Sequence, residues 1–177
     1  MVIFVAGVHG VGKTYLSDKY VAGKNIIHAT ASTLIREELL VANWTKNKLV
    51  GDIDKNQTAL IKAVEKIHAS GRELLLDGHF VLKDFEGKLQ PIDPEIFSAL
   101  NLNGIVLLED SPEIVQKRLG DRDANFLVEN IATFSAAEKK QAELVCRALN
   151  IRLEVLFAPT EISFTKVMDS FFDELPN

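Results

Sequence analysis

The stretch Gly7-Val-His-Gly-Val-Gly-Lys-Thr14 decides the fold of this chain. It fits the pattern G-x-x-x-x-G-K-[ST] at every fixed position, between the apolar run 2–6 and an amphipathic run, 14–21. Glycines let the backbone curl so that successive N–H groups point inward, and this nest binds phosphate oxygens at a helix N-terminus. With average residue usage, the pattern occurs by chance in well under ~1% of chains this long. It therefore predicts a P-loop that binds a nucleoside triphosphate.

Within this loop two side chains have predicted tasks. Lys13 is expected to reach the β- and γ-phosphates, and the Thr14 hydroxyl to ligate Mg²⁺. His9 has two interpretations, a contact with phosphate or nucleotide and an exposed loop residue. The predictions are therefore ATP as substrate and Mg²⁺ as cofactor. The predicted phosphate-binding residues are Gly7, His9, Gly10, Val11, Gly12, Lys13, Thr14 and Tyr15.

Short apolar runs alternate with longer amphipathic runs along the whole chain. This alternation predicts an α/β fold with a parallel sheet covered by helices on both faces. The predicted fold class is that of a P-loop NTPase with a five-stranded parallel sheet and helices on both faces. The expected strands are 2–6, 25–28, 73–77, 104–109 and 151–157, and 78–91 is expected to be a loop. The expected helices are 14–21, 30–42, 52–69, 94–100, 112–119, 135–150 and 161–175.

A second acid is expected beside the P-loop. The apolar run 73–77 ends in Asp77, and in P-loop proteins a carboxylate at such a strand end holds Mg²⁺ through water or through the P-loop hydroxyl. Glu109 ends another strand and is the competing candidate. Asp77 is favoured because Gly78 and His79 follow it and allow a tight turn near the ligand.

Composition restricts the partners and the compartment. The chain has 177 residues, a net charge of −5 and one cysteine, Cys146. A mildly acidic domain is a poor general nucleic-acid binder, because phosphate neutralisation needs clustered Lys and Arg. No stretch approaches the ~20 apolar residues of a membrane span. One thiol cannot form an internal disulfide, so a cytoplasmic protein is predicted.

Three further segments carry a family resemblance. They are Thr30-Ala-Ser-Thr-Leu-Ile-Arg36, Leu74-Leu-Leu-Asp77-Gly78, and the series His79, Lys83, Gly87, Leu89 and Pro91. Together with the P-loop, they make nearly all of the chain resemble the nucleoside monophosphate kinases, most closely the archaeal-type adenylate kinases.

The resemblance implies a single P-loop kinase-like domain, 1–177, in which separate segments bind the acceptor and cover the site. Residues 30–70 would be the acceptor-binding helices, and 120–134 would be the lid. Arg118 and Arg122 would neutralise the transferring phosphoryl group together with Lys13. If the helix persists past Gly120, both arginines lie on one face; if it breaks there, Arg122 begins a loop. The implied acceptor-binding residues are Arg36, Gln57, Asp77 and His79.

The chain also departs from that family pattern. Bacterial-type members carry Phe-Pro-Arg after Asp-Gly, whereas His79-Phe80-Val81 follows here. The favoured function is transfer of the γ-phosphoryl group of Mg-ATP to a nucleoside monophosphate. The alternative is a nucleotide-binding switch or slow ATPase that acts with a partner protein. A kinase for a small metabolite is a third, weaker hypothesis, because 28–32 offers no carboxylate to hold hydroxyl groups.

Overall fold

The fold is built on one parallel sheet. A computed structural model describes residues 1–41, 53–84, 86–122 and 130–172. The sheet has five strands, β1 (Val2–Ala6), β2 (Ile26–Thr30), β3 (Glu73–Asp77), β6 (Gly104–Glu109) and β7 (Arg152–Phe157). They pair in the order β2-β3-β1-β6-β7, and every pairing is parallel. The predicted α/β fold with a five-stranded parallel sheet is confirmed.

Helices connect the strands and cover the sheet. No helix in the described part of the chain is long and apolar enough to cross a membrane. The helices are α1 (Lys13–Val21), α2 (Ala31–Val41), α3 (Ile53–Ala69), α4 (Pro94–Ala99), α5 (Pro112–Arg122), α6 (Ile131–Leu149) and α7 (Glu161–Phe172). Asp93 caps the N-terminus of α4, because its carboxylate accepts a hydrogen bond from the Glu95 N–H at 2.9 Å. Aspartate is among the residues preferred at this position.

The core lies around the three inner strands, β1, β3 and β6. Every residue of β1 is buried, as expected for a strand between two helical layers. On one face the rings of Phe4, Phe80 and Phe97 pack together, with centroid distances of 5.1, 5.5 and 4.7 Å. This aromatic cluster fixes the chain immediately after β3 against the middle of the sheet.

The expected loop 78–91 contains a hairpin instead. Strands β4 (Val81–Lys83) and β5 (Leu89–Pro91) pair in antiparallel fashion. Asp84 closes the turn, because its carboxylate accepts hydrogen bonds from the Glu86 and Lys88 N–H groups at 3.0 and 2.9 Å. Three-residue strands show too little alternation to be recognised from the sequence.

Two helices differ from the expected bounds by three residues or more at an end that the structure describes. Helix α5 passes through Gly120 and ends at Arg122. Helix α6 begins at Ile131, because the Asn130 side chain caps it by accepting a hydrogen bond from the Thr133 N–H at 3.0 Å. Ser135 therefore lies inside α6, and the expected start of this helix at 135 is wrong. Of the predicted lid, 120–122 belong to α5, 131–134 belong to α6, and 123–129 lie outside the described residues.

Candidate functional site

The loop between β1 and α1 has the backbone that a phosphate nest requires. Gly7, Gly10 and Gly12 have φ angles of 137, 79 and 109°, which residues other than glycine rarely adopt. A Cβ at position 7 would lie 2.4 Å from the Leu108 carbonyl oxygen. Glycine is therefore required there by close approach to β6 as well as by its φ angle.

Lys13 crosses the loop from the first turn of α1. Its side chain is 7% exposed, and its ammonium group donates hydrogen bonds to the carbonyl oxygens of Gly7 and Val8 at 2.7 and 3.2 Å. Burial lowers the pKa of Lys13, whereas the carboxylates of Asp77 and Glu138 raise it. These contacts hold a cation directly over the loop that is predicted to bind phosphate.

The Thr14 hydroxyl and the Asp77 carboxylate meet at the sheet edge. Parallel pairing of β1 with β3 sets Val5 opposite Asp77, so that the end of β3 lies beside the P-loop. The Thr14 hydroxyl donates a hydrogen bond to Asp77 Oδ2 at 2.7 Å. Glu109, the competing acid, instead forms an ion pair with Lys139 at 2.9 Å.

These two oxygen donors fit a magnesium ion. Mg²⁺ prefers hard oxygen ligands and commonly takes only one or two from the protein, the rest coming from phosphates and water. Among the described residues there is no group of three or more His, Cys, Asp or Glu side chains that could hold a metal by itself. Thr14 and Asp77 would thus hold Mg²⁺ only in company with a phosphate ligand.

A cavity of about 1350 Å³ extends from the P-loop towards α3, α4 and the hairpin. Polar side chains line it from the P-loop and from the hairpin, among them Lys13, Lys83 and Gln90. The amide side chains of Asn56 and Gln57 line it from α3. The apolar lining consists of Phe4, Ile35, Leu60, Leu82, Ile92, Ile96, Phe97 and Leu100.

The structure brings some of the predicted acceptor residues together and separates others. Gln57, Asp77 and His79 line the same cavity as the P-loop. Arg36 is exposed on α2 and lies outside the lining of this cavity. The side chain of Arg122 lies outside the described part of the chain. The binding roles of all these residues stay predictions.

Arg118 lies over the P-loop. Its guanidinium donates a hydrogen bond to the Val11 carbonyl oxygen at 3.3 Å and pairs with the Asp110 carboxylate at 3.0 Å. Asp110 is buried directly after β6, so it ties the arginine to the sheet. Helix α5 also packs closely on the loop, because a Cβ at Gly10 would lie 2.8 Å from Leu119 Cγ. Arg118 is thus placed where phosphate charge is expected.

Glu138 is a site residue that sequence reasoning missed. Its carboxylate is fully buried and accepts hydrogen bonds from the N–H groups of Phe80 and Val81, at 3.0 to 3.1 Å, and from His79 Nδ1 at 3.3 Å. One signal could have revealed it. Glu138 follows Phe134 by four residues and shares its helix face with the buried Ala142, as the α6 pattern shows.

His79 forms a short stack of rings inside the site. Its ring lies 4.3 Å from that of His9 in the P-loop and 5.9 Å from that of Phe134 on α6, measured between centroids. His9 itself is exposed and lines the cavity, which agrees in part with both interpretations of that residue. The two imidazoles therefore stand side by side at the junction of the P-loop and the cavity.

His28 on β2 lies close to the metal-ligand candidate Asp77. Its Nδ1 pairs with Asp18 at 2.7 Å, and its Nε2 lies 3.9 Å from Asp77 Oδ2. That Nε2 is buried without a hydrogen-bond partner among the described residues. The side chain thus closes the site behind Asp77.

One family model matches the chain. It is described as AAA domain and matches residues 6–135, which include the P-loop, Asp77, the hairpin and Arg118. No curated protein sequence matches the chain.

Solved structures with the same fold cover almost the whole chain. A sugar kinase from a Janibacter species is 13% identical with a TM-score of 0.58, over 97% of this chain and 94% of the other. A gluconokinase from Sinorhizobium meliloti is 13% identical with a TM-score of 0.52, over 98% and 97%. A protein from Thermus thermophilus is 12% identical with a TM-score of 0.57, over 100% and 98%. At these identities the likeness shows the P-loop kinase-like fold.

Proposed function

The chain belongs to the AAA domain family, and from this membership and its kinase-like fold we propose that it is a phosphotransferase. It would move the γ-phosphoryl group of Mg-ATP to a nucleoside monophosphate. The observation that carries the acceptor class is the combination of apolar walls and amide groups in the cavity that the P-loop lines.

The donor half of the reaction is supported by the contacts of the P-loop. Lys13 and Arg118 place two cations over the loop, where they would offset charge that spreads over the oxygens of the transferring group. Thr14 and Asp77 would hold Mg²⁺. When bound, that ion would neutralise phosphate charge and orient the β- and γ-oxygens.

The acceptor half is supported by the shape and polarity of the cavity. A nucleobase is flat and largely apolar with a polar edge, and it suits a pocket of apolar walls with a few polar groups. Leu60 and Phe97 belong to such walls, and Asn56 and Gln57 supply amide groups. These features favour a base-bearing acceptor.

Phosphoryl transfer to a monophosphate makes few chemical demands on the protein. An oxygen of the acceptor phosphate forms a bond to the γ-phosphorus, and the bond from that phosphorus to the β–γ bridging oxygen breaks. ADP leaves with that electron pair, and the acceptor becomes a diphosphate. No protein base is needed because the attacking oxygen is already anionic, so positioning and electrostatics would provide the catalysis.

A sugar-like acceptor is the competing proposal, because two of the solved structures with this fold are named a sugar kinase and a gluconokinase. Hydroxyl-rich acceptors are best held by free carboxylates in the cavity. Asp84 lines the cavity from the hairpin, but its oxygens already accept hydrogen bonds from Glu86, Lys88 and Gln90. This occupation makes a sugar the weaker proposal.

The test is an acceptor screen. Purified protein is incubated with Mg-ATP and, separately, with each nucleoside monophosphate, with gluconate, with simple sugars or with no acceptor. ADP and free phosphate are both measured. ADP formation that depends on a monophosphate supports the proposal. ADP formation that depends on gluconate or a sugar would show that the acceptor is a hydroxyl-rich molecule. Phosphate release at the same rate with every acceptor and with none would identify the slow ATPase or switch.

A pair of lysine variants checks that the measured activity belongs to this site. Lys13→Ala removes the buried ammonium group over the loop and should lower turnover by about 10²-fold or more, as for loss of one strong electrostatic contact. Lys62→Ala removes the same charge from an exposed position on α3 and should leave turnover unchanged. Equal activity of the two variants would place the reaction elsewhere.

A further inference from the structure

Glu138 has no role in the reaction described so far, although its buried carboxylate contacts His79, which lines the cavity. We propose that Glu138 is a positioning residue for the acceptor, because it holds His79 in place to accept a hydrogen bond from a hydroxyl or N–H group of that acceptor. This inference rests on the proposed function, and it adds Glu138 to the acceptor half of the same site.

The first step is the environment of the carboxylate. An ionised carboxylate that is fully buried needs several hydrogen bonds to offset the loss of water. Glu138 obtains them entirely from the three consecutive residues His79, Phe80 and Val81. Helix α6 thereby holds the short segment that links Asp77 to the hairpin. A shift of that segment would leave the buried carboxylate of Glu138 without hydrogen-bond donors.

The second step is the orientation of the imidazole. A carboxylate only accepts hydrogen bonds, so His79 Nδ1 is the donor in its contact with Glu138. The rings of His9 and Phe134 flank the His79 ring, at centroid distances of 4.3 and 5.9 Å. With the proton on Nδ1 and the ring flanked by other rings, Nε2 is the nitrogen that can accept a hydrogen bond from a ligand.

The third step is the position of His79 in the cavity. Its ring lies 4.3 Å from that of His9 in the P-loop, and the next residue, Phe80, packs on Phe97 of the cavity lining with ring centroids 4.7 Å apart. His79 therefore lines the cavity close to the P-loop, where an acceptor must lie if its oxygen is to reach the γ-phosphoryl group.

The experiment compares two glutamates of the same helix. Glu138→Gln keeps the shape of the side chain but removes the charge that holds the 79–81 segment. The KM for the acceptor found in the screen should rise about tenfold, the usual effect of one weakened charge-assisted hydrogen bond, while the KM for ATP changes less than about twofold. Glu143→Gln, at an exposed position on α6, should change neither constant.

A double-mutant cycle with His79→Ala tests whether Glu138 acts through the imidazole. If it does, His79→Ala alone raises the acceptor KM, and adding Glu138→Gln raises it no further. Equal effects of Glu138→Gln with and without His79 overturn the inference, as does an equal rise in both KM values. If Glu138→Gln does not fold, His79→Ala alone decides, and an unchanged acceptor KM overturns the inference.

Failure of the inference differs from failure of the proposed function. If the unmodified protein transfers no phosphoryl group to any acceptor, the proposed function fails and the inference fails with it. If the unmodified protein does transfer, but the Glu138 and Glu143 variants behave alike, only the inference fails.

Discussion

Three charged side chains of the site, Lys13, Asp77 and Glu138, are buried, and each has partners that offset the loss of water. Lys13 donates to loop carbonyls, Asp77 accepts from Thr14, and Glu138 accepts from backbone N–H groups. Buried charges persist only where such partners exist. At the residue scale, therefore, the site is a set of charges whose positions are fixed before any ligand binds.

Cys146 provides a prediction at the same scale. Burial raises the pKa of its thiol to about 11, so almost no reactive thiolate forms near neutral pH. We expect alkylation of the folded protein by iodoacetamide at pH 8 to be slower than that of the urea-unfolded protein by about two orders of magnitude. Mass spectrometry over time measures both rates, and equal rates would contradict the burial of this residue.

Two glycines give a matched prediction about packing. A Cβ at Gly78 would lie 2.7 Å from the ring of Phe4, whereas a Cβ at Gly120 in α5 would meet nothing within 4 Å. Gly78→Ala should lower the free energy of unfolding by about 1–3 kcal/mol through overpacking. Gly120→Ala should raise it by up to about 1 kcal/mol through helix propensity. Urea denaturation measures both, and changes of the same sign would refute the packing described for Phe4.

At the scale of elements, the β4–β5 hairpin brings side chains to the cavity from the segment that follows β3. Leu82, Lys83 and Gln90 line the cavity from this hairpin, and Gln141 on α6 donates a hydrogen bond to the Ile92 carbonyl oxygen at 2.7 Å. Helix α6 therefore supports both ends of the segment, through Glu138 at its start and Gln141 at its end. The acceptor end of the cavity depends on how these elements pack.

The free energy of unfolding should depend on pH through Asp84, which closes the turn of the β4–β5 hairpin. Hydrogen bonds from Gln90 and from the N–H groups of Lys88 and Glu86 hold the pKa of Asp84 below its ordinary value. A lowered folded-state pKa contributes stability above the ordinary aspartate pKa, and that contribution is lost as pH falls through the folded value.

The prediction is that Asp84→Asn is less stable than the unmodified protein at pH 7, and that this difference shrinks as the pH falls below about 4. Urea denaturation at several pH values gives the comparison. Glu86→Gln removes a charge from the same hairpin without removing the Asp84 contacts, and it serves as the control. A difference that grows on acidification would have the wrong sign for this mechanism.

At the scale of the whole molecule, the P-loop, β3 and α5 meet only in the folded state, so nucleotide binding should stabilise the fold. At a Mg-ATP concentration one hundred times the Kd, the gain is about 2.7 kcal/mol. For a chain of this size that raises Tm by about 5–10 °C.

The magnesium-dependent part of this shift should require Thr14, whose hydroxyl lies 2.7 Å from Asp77. Thr14→Ala should reduce the difference in Tm between Mg-ATP and ATP with EDTA, as measured by thermal unfolding. A comparison within each variant removes the effect of the substitution on stability itself. An unchanged difference in Thr14→Ala would exclude this hydroxyl as a magnesium ligand.

Local rules of the chain were enough to predict the sheet and the P-loop. Glycine spacing, a buried strand and the following helix act over few residues, so Lys13, Thr14 and Asp77 could be named from the sequence. The five parallel strands follow from alternating apolar and amphipathic runs in the same way. The family resemblance extended these predictions to a kinase-like fold, which the solved structures confirm.

The tertiary structure alone decided what surrounds that loop. The sequence cannot fix how a helix is rotated about its axis against its neighbours, and this rotation exposes Arg36 while it turns Ile35 into the cavity. The rotation of α6 about its own axis likewise buries Glu138, a residue that local rules assign to a helix end. Consecutive residues thus determine the P-loop, because its glycine spacing acts locally. The acceptor half of the site depends on packing between elements that are distant in the sequence.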